Sequence, residues 1–468
     1  MKKAILILVL IGGMVVGGSY QVGKVVEAEL PQILARAGTL GQMQINIRSY
    51  ERNIFRSTVR TEIILASISG SREQVFLRHD IWHGPLPFGQ SRNGEWQFTP
   101  MSALVETTID RENQPSGWIG HILELCPELY DSLDQTRFDF AGNGSSTFTA
   151  PAFEKSFGEG NSAFRVNWGG MTGTVNIDKS MQSMRGEVRV PAFKLTTADG
   201  YVSVDASRSN FNIHEDFGGL LLGNFTADTQ GIDISTRSDR TLFSDLQFRN
   251  TAKLEEDLVS YSIAIGIESM QTGNKTYGPA GFEVDFVGLD APTILEIQKK
   301  LQSIQTQVKT LSEQEIARSV FAIYAEALPT LIQKKPEISL NYLNLAGPGG
   351  EFWCKGIVHF ENPQNRAIKD VDALLATIRA SGESQVSKAL LQNLTSGFMV
   401  GQLTQARAAG QLGDMSDDQF RDLAAEAAAK QLTQLESSGV IVADRDNYRI
   451  DFSYADRRAI LNGKPLAM

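Results

Sequence analysis

The 468-residue chain is poor in metal-ligating side chains, with only two cysteines and five histidines. It therefore lacks both the Cys and His clusters of structural zinc sites and the dense disulfide framework of small secreted domains. Lys and Arg number 44 against 54 Asp and Glu, which gives a formal charge of −10, and no basic stripe occurs. Since binding of a phosphate backbone requires clustered Lys and Arg, we predict no nucleic-acid partner.

Long hydrophobic runs are also scarce, with one exception at the amino terminus. Lys2 and Lys3 precede an apolar or small run over residues 4–18, the order that membrane-targeting machinery reads. As a helix, residues 4–20 span about 25 Å, close to the hydrocarbon thickness of about 30 Å. We expect a retained, single-pass signal anchor in a bacterial inner membrane, with the bulk of the chain in the periplasm. The alternative is a signal peptide cleaved after Gly18.

Two residue pairs bear on assembly and redox state. Gly13 and Gly17 form a small-x-x-x-small pair that lets two anchor helices approach closely, which is compatible with a homodimer. Cys126 and Cys354 would meet an oxidising compartment if exported, where they can form a disulfide. Two buried free thiols are the alternative.

The spacing of apolar residues changes along the body. From about residue 42 to residue 287 they recur at every second position, as in Tyr261, Ile263 and Ile265, which predicts strands with one apolar face. Turn signals at residues 142–144 and 158–161 separate these runs at hairpin-like intervals. We predict a large, curved antiparallel meander.

Beyond about residue 290 the apolar spacing becomes helical, and Ser312 and Ser416 each open a capping box. Two strands are expected within residues 338–360, helices over 370–409, and closing β-hairpins after residue 440. The fold class is therefore α+β. The predicted organisation is a signal anchor at 1–26, a β-rich antiparallel domain at 27–287 and an α+β carboxy-terminal region at 288–468.

His79 and His83 are the best enzymatic candidates, because two histidines four residues apart on a helix can hold one zinc ion. The residues before them favour a strand, on which they would stand about 13 Å apart. Ligands at about 2 Å from a metal cannot span that distance. We therefore predict no metal and no cofactor, and expect both imidazoles to hydrogen-bond locally between strands.

Four short motifs occur in order along nearly the whole chain: Val22-Gly23 with Val26-Glu27, the run YERNIFRS at residues 50–57, HGPLP at residues 83–87, and NGKP at residues 462–465. Together they resemble the signatures of the YdgA-like bacterial envelope family. Asn53 stands where that family usually has Gly, and both residues tolerate a left-handed turn. The resemblance implies an inner-membrane-anchored periplasmic protein that can self-associate, in a family with no established activity.

The segment at residues 50–57 joins two alternating runs, so we predict a hairpin turn there. Tyr50 and Phe55 would pack the turn onto the sheet, with Arg52 bound to a nearby acid or carbonyl. The functional alternative makes Tyr50, Arg52 and Phe55 a surface for a partner. His83, Gly84 and Pro85 are expected to form a rigid turn.

Three functions are compatible with these features. The preferred one is a non-catalytic envelope protein that acts as a scaffold or interaction module. The alternative is a carrier of lipid or another hydrophobic ligand on the apolar face of the sheet. The third, a metal-dependent hydrolase, would depend on His79 and His83.

Overall fold

The computed structural model describes residues 2–40, 43–66, 72–87, 99–112, 114, 117–237, 239–307, 313–361, 371–408 and 416–466. The chain divides into two compact units, one formed by Met1–Ala227 with Glu296–Ile323 and the other by Asp228–Leu295 with Tyr324–Met468. They are called unit 1 and unit 2 below. The domain boundaries at residues 27 and 288 remain predictions.

Unit 1 begins with helix α1 (Lys2–Leu40), which is unbroken over 39 residues although Pro31 lies inside it. Side chains up to Met14 lie outside the described part of the structure, and most of the apolar run falls there. Among the described residues, no helix is both long enough and apolar enough to span a membrane. The transmembrane anchor is therefore still a prediction.

Antiparallel strands make up most of unit 1. They are β1 (Gln44–Arg52), β2 (Arg56–Ala66), β3 (Arg72–His83), β4 (Ala103–Ile109), β5 (Leu133–Phe138), β6 (Gly144–Ala150), β7 (Phe153–Phe157), β8 (Phe164–Trp168), β9 (Met171–Ile177), β10 (Ser183–Val190), β11 (Phe193–Thr197), β12 (Gly200–Val204) and β13 (Ser207–Asp216). The main ladder runs β1-β2-β3-β4-β5-β6-β9-β10-β13, and a second one runs β7-β8-β11-β12. The short helix α2 (Trp118–Leu125), which the alternating pattern did not predict, lies between β4 and β5.

The two ladders of unit 1 are halves of four long, bent strands. Two-residue breaks divide β6 from β7, β8 from β9, β10 from β11 and β12 from β13, and they fall at Pro151–Ala152, Gly169–Gly170, Pro191–Ala192 and Asp205–Ala206. Proline cannot donate to a ladder, and Gly170 has a φ of +85°, so the chain bends at these positions. The predicted curved antiparallel sheet is confirmed.

Strand β14 (Leu220–Thr236) crosses the division between the units. Unit 2 continues with β15 (Arg240–Glu255), β16 (Leu258–Thr272), β17 (Lys275–Tyr277), β18 (Ala280–Asp290), β19 (Glu337–Gly347), β20 (Gly350–Phe360), β21 (Ile378–Ser387), β22 (Val442–Asp444), β23 (Asn447–Ala455), β24 (Arg458–Leu461) and β25 (Lys464–Pro465). Its ladder runs β15-β16-β18-β19-β20-β21-β23-β24-β25, with β17 on β16 and β22 on β23.

Five helices complete the second half of the chain: α3 (Ala291–Gln307), α4 (Glu313–Gln333), α5 (Val371–Thr377), α6 (Lys388–Ala408) and α7 (Asp417–Ser438). The expectation of helix throughout 370–409 is wrong, because β21 separates α5 from α6 by pairing with β20 and β23. At the start of α7, Gln419 N donates to Ser416 Oγ at 3.3 Å and Ser416 N to Gln419 Oε1 at 3.0 Å, as the capping box predicts. The other capping residue, Ser312, lies outside the described residues.

Candidate functional site at the junction of α1 with the sheet of unit 1

His83 ends strand β3 and is completely buried. Its Nδ1 lies 2.9 Å from the carbonyl oxygen of Ile54, and its Nε2 lies 2.9 Å from Ser57 Oγ. Because a carbonyl oxygen can only accept, Nδ1 carries the proton and Nε2 accepts from the Ser57 hydroxyl. Burial lowers the pKa of His83, which keeps the ring neutral at neutral pH. The imidazole is thus fixed in position by both ring nitrogens.

Helix α1 covers this imidazole. A Cβ atom added to Gly23 would lie only 2.6 Å from His83 Cε1, so the helix approaches the ring at a distance that glycine alone permits. Ser19 is completely buried one turn earlier, and its Oγ lies 3.4 Å from the His83 carbonyl oxygen. A Cβ atom on Gly18 would come within 2.9 Å of Pro85 Cδ. Helix α1 therefore contacts the end of β3 and the turn after it at three residues: Gly23, Ser19 and Gly18.

An ion pair and an apolar cluster extend this contact along α1. Arg52, the last residue of β1, binds Glu27 of α1 with 3.1 Å between Nε and Oε2. Its guanidinium also lies 5.2 Å from the centre of the Tyr20 ring. Val26 and Leu30 pack against a core formed by Val59, Ile81 and Ala103 of strands β2, β3 and β4, which Tyr50 also contacts. The second half of α1 is thus an integral part of the core of unit 1.

The residues singled out from the YERNIFRS segment separate into two groups. Tyr50 and Arg52 face α1, and the Tyr50 hydroxyl donates to Ser57 Oγ at 3.2 Å. Phe55 lies at the tip of the β1–β2 hairpin and is 39% exposed, so the expected packing of its ring onto the sheet is at most partial. Gly84 N donates to the Ser102 carbonyl oxygen at 2.7 Å, and a Cβ atom there would come within 2.0 Å of the Met101 carbonyl oxygen. This close backbone approach explains the glycine of the HGPLP motif.

His79 stands four residues before His83 on β3, and each of its ring nitrogens has its own hydrogen-bond partner. Nε2 lies 2.8 Å from Thr61 Oγ1, and Nδ1 lies 2.8 Å from Thr107 Oγ1. Burial lowers the pKa of His79 to about 4. The described residues contain no group of three or more His, Cys, Asp or Glu side chains placed to hold a metal ion. The geometry therefore offers no support for a shared metal site.

The Ser57–His83 pair has the hydrogen bond that activates serine in many hydrolases, and sequence reasoning missed it because the two residues are 26 positions apart. Both side chains are completely buried beneath α1. A nucleophile must reach its substrate, so this pair can act chemically only if α1 moves away. In the structure it is a buried polar network with every ring nitrogen satisfied.

The NGKP motif performs a different task in unit 2. Asn462 Nδ2 donates to the carbonyl oxygens of Gly439 and Val440 at 2.9 and 3.0 Å, and Asp451 N donates to Asn462 Oδ1 at 2.7 Å. These carbonyls follow the last turn of α7 and have no helical partner. Asn462 therefore ties the end of α7 to strand β23.

The remaining predicted residues lie apart from this junction. Cys126 is buried in unit 1 and Cys354 half-buried in unit 2; both are free thiols whose pKa is raised by burial, and their pairing stays a prediction. The surroundings of Gly13 lie outside the described part of the structure. Gly17 has no atom within 4 Å of the position that a Cβ would take, so its side of α1 is open.

Comparison with known proteins places this arrangement in a family. A family model described as bacterial protein of unknown function, DUF945, matches residues 1–468. The chain belongs to the DUF945 family. It is also 20% identical over 425 residues to Protein YdgA of Escherichia coli strain K12, with 80% of each chain covered. No solved structure matches. The YdgA-like resemblance is thereby confirmed, and three of the four motifs on which it was recognised meet where α1 contacts the sheet.

Proposed function

We propose that this protein is a non-catalytic scaffold or interaction module of the bacterial envelope, held in the inner membrane by the first half of α1, with both units in the periplasm. One observation carries the proposal: α1 is a single helix from Lys2 to Leu40, and its second half is built into the core of unit 1. A membrane segment and the sheet then share one rigid element. A membrane that holds residues 4–18 would therefore also hold unit 1 in position.

The proposed lack of catalysis is supported by the roles of the two buried imidazoles. His79 and His83 have partners at both ring nitrogens, and the serine that binds the imidazole of His83 is the completely buried Ser57. Both histidines have lowered pKa values because they are buried, which is the expected effect of packing. The metal-dependent hydrolase is therefore not the preferred function.

Topology and processing of the full chain test the anchored arrangement. Intact-mass measurement should give the uncleaved chain, and the protein should stay with membranes at alkaline pH. Alkaline phosphatase fused after Met468 should be active, whereas a green fluorescent protein without export competence should not fluoresce there. Cleavage after Gly18 with release of a soluble body, or a fluorescent cytoplasmic fusion, would refute the anchor.

Self-association belongs to the same proposal, because Gly17 leaves one side of α1 open close to the predicted membrane segment. Gly17→Cys should form a disulfide-linked dimer in membranes under mild oxidation. Val16→Cys, 43% exposed one residue earlier and therefore about 100° around the helix from Gly17, is the control for random collision. Equal dimer yields from both variants would count against pairing through Gly17.

A carrier of hydrophobic ligands is the second candidate, and the sheet of unit 2 favours it. Phe248, Ile265, Phe282 and Leu343 stand opposite one another on β15, β16, β18 and β19. Ile265 is 43% and Leu343 39% exposed, so this apolar row is partly open to solvent. Native mass spectrometry should then detect co-purified lipid that is reduced in Ile265→Asp; consistent absence of lipid from the unaltered protein would eliminate the carrier.

A further inference from the structure

The contact of helix α1 with unit 1 ends near Gly18. Among the glycines of α1 whose surroundings are described, Gly18 is the first whose added Cβ would meet unit 1, at Pro85 in the turn after β3. Gly17 has nothing within 4 Å, and Val16 is 43% exposed. The apolar run of residues 4–18 ends at the same place. The turn that contains Pro85 therefore lies level with the end of the predicted membrane segment.

The tip of the β1–β2 hairpin is fixed at this level by His83. His83 N donates to the Phe55 carbonyl oxygen at 2.9 Å, while His83 Nδ1 donates to the Ile54 carbonyl oxygen. Asn53 N closes the turn on the Arg56 carbonyl oxygen at 2.8 Å. Despite this rigid backbone, the side chains of Ile54 and Phe55 are 47% and 39% exposed. Two neighbouring large apolar side chains thus face solvent beside the point where α1 departs.

Aromatic and cationic groups surround the same level. Tyr20 is 45% exposed, with the Lys24 Nζ 4.9 Å from its ring centre and the Arg52 guanidinium on it as well. The Arg56 side chain is 43% exposed and lies 5.0 Å from the Trp82 ring, but it forms an ion pair with the buried Asp80 carboxylate at 2.6 Å. Along the helix, Tyr20 and Lys24 follow Gly18 by about 3 and 9 Å, comparable to the headgroup layer of about 5–8 Å. Tyrosine is enriched at membrane interfaces, and Tyr, Lys and Arg at that level act as interfacial anchors of a membrane helix.

We infer that Ile54 and Phe55, together with Tyr20, form a surface that rests in the interfacial layer of the membrane that α1 enters. We call these three residues the interface patch. The apolar side chains enter the boundary between headgroups and acyl chains, and Lys24 meets anionic phospholipid headgroups. The bilayer is the partner because the patch is continuous with the apolar run of α1 and carries cations beside it. This inference rests on the proposed anchoring.

Photo-crosslinking in native membranes tests the interface patch. The full chain carries a benzophenone side chain in place of Phe55 or, as the matched control, in place of Leu65. Leu65 is 36% exposed on strand β2, which begins directly after Phe55. It lies nine residues beyond Arg56 and therefore about 30 Å along the strand from it. We expect phospholipid adducts at residue 55 at least tenfold above those at residue 65. Equal yields, or adducts of residue 55 with protein alone, would overturn the inference.

Two further measurements keep the outcome decisive. A probe at Ile54 replaces the one at Phe55 if that variant does not accumulate, and it should give the same adducts. In vesicles, replacing phosphatidylglycerol by phosphatidylcholine should lower the yield at residue 55 about fivefold, the equivalent of about 1 kcal/mol for one cation at the surface. Loss of the whole protein from the membrane fraction would mean that the anchor has failed; retention without lipid adducts would mean that only the interface patch has failed.

Discussion

Gly23 gives the sharpest test of how α1 is held on the sheet. In Gly23→Ala the new Cβ would lie 2.6 Å from His83 Cε1 and 2.8 Å from Nδ1, about 1 Å inside the usual carbon–carbon packing distance of about 3.5–4.0 Å. The ring cannot turn away without losing its hydrogen bonds to Ser57 and Ile54. Either α1 moves outward or the bonds break.

The expected cost follows from three effects. Overpacking costs about 1–3 kcal/mol and a lost hydrogen bond about 1 kcal/mol, while alanine gains about 1 kcal/mol over glycine in a helix. The net destabilisation of the docked α1 should be about 2 kcal/mol. Amide hydrogen exchange over residues 19–34 of the detergent-solubilised full chain should then be about 30-fold faster than in the unaltered protein.

Gly17→Ala is the matched control in the same helix, because no atom lies within 4 Å of the added Cβ. It should leave exchange unchanged or slow it, by up to about 1 kcal/mol of helix preference. The reasoning fails if the two variants behave alike, since the difference between them depends only on the approach of α1 to His83.

Three other perturbations follow from the contacts. Ser57→Ala leaves Nε2 of the buried His83 without its partner and should lower the free energy of unfolding by about 1–3 kcal/mol in a urea titration. Burial lowers the pKa of His79 to about 4 and also lowers that of His83. As the pH falls below about 6.5, these histidines therefore bind protons in the unfolded chain before they do so in the folded protein. Stability should therefore fall between pH 6.5 and 4, and the fall should be smaller in His79→Gln; equal slopes would contradict this. Asn462→Ala removes two hydrogen bonds to the end of α7 and puts alanine at a φ of +49°. Amide exchange around Gly439 should therefore be about 30-fold faster, equivalent to about 2 kcal/mol, and Asn462→Gly should give an intermediate rate.

Alternation of apolar residues was sufficient to predict the sheet, because a half-buried strand imposes a period of two wherever it pairs. Alternation does not predict β21, which lies within the range 370–409 where helices were expected. The sequence IRASGESQVS has few apolar side chains, and its strand conformation is supported by ladders to β20 and β23. The bends at residues 151 and 191 carry a local proline signal, but their alignment across four strands depends on register, which one sequence does not provide.

The candidate site was predictable only in pieces. The hairpin at residues 50–57 and the turn after His83 followed from local signals, and α1 followed from its apolar run. Their convergence did not, since the Ser57–His83 bond and the Gly23 contact join segments 26 and 60 residues apart. Phe55 shows the same limit: an apolar ring favours packing onto the sheet, yet the residue is 39% exposed.

The contacts also explain why short, ordered motifs were informative at all. Gly23 is needed because His83 approaches the helix, His83 is fixed because Ile54 and Ser57 bind its two nitrogens, and Gly84 is needed because the next turn passes over Met101. Three of the four motifs therefore meet where α1 contacts the sheet, and a change in one of the three would require changes in the other two. A set of residues related in this way specifies how α1 sits on the sheet, not a reaction. For that reason the proposed function depends on the attachment of the helix to unit 1. The Gly23 variant tests this attachment within the sheet, and the interface patch tests it at the membrane.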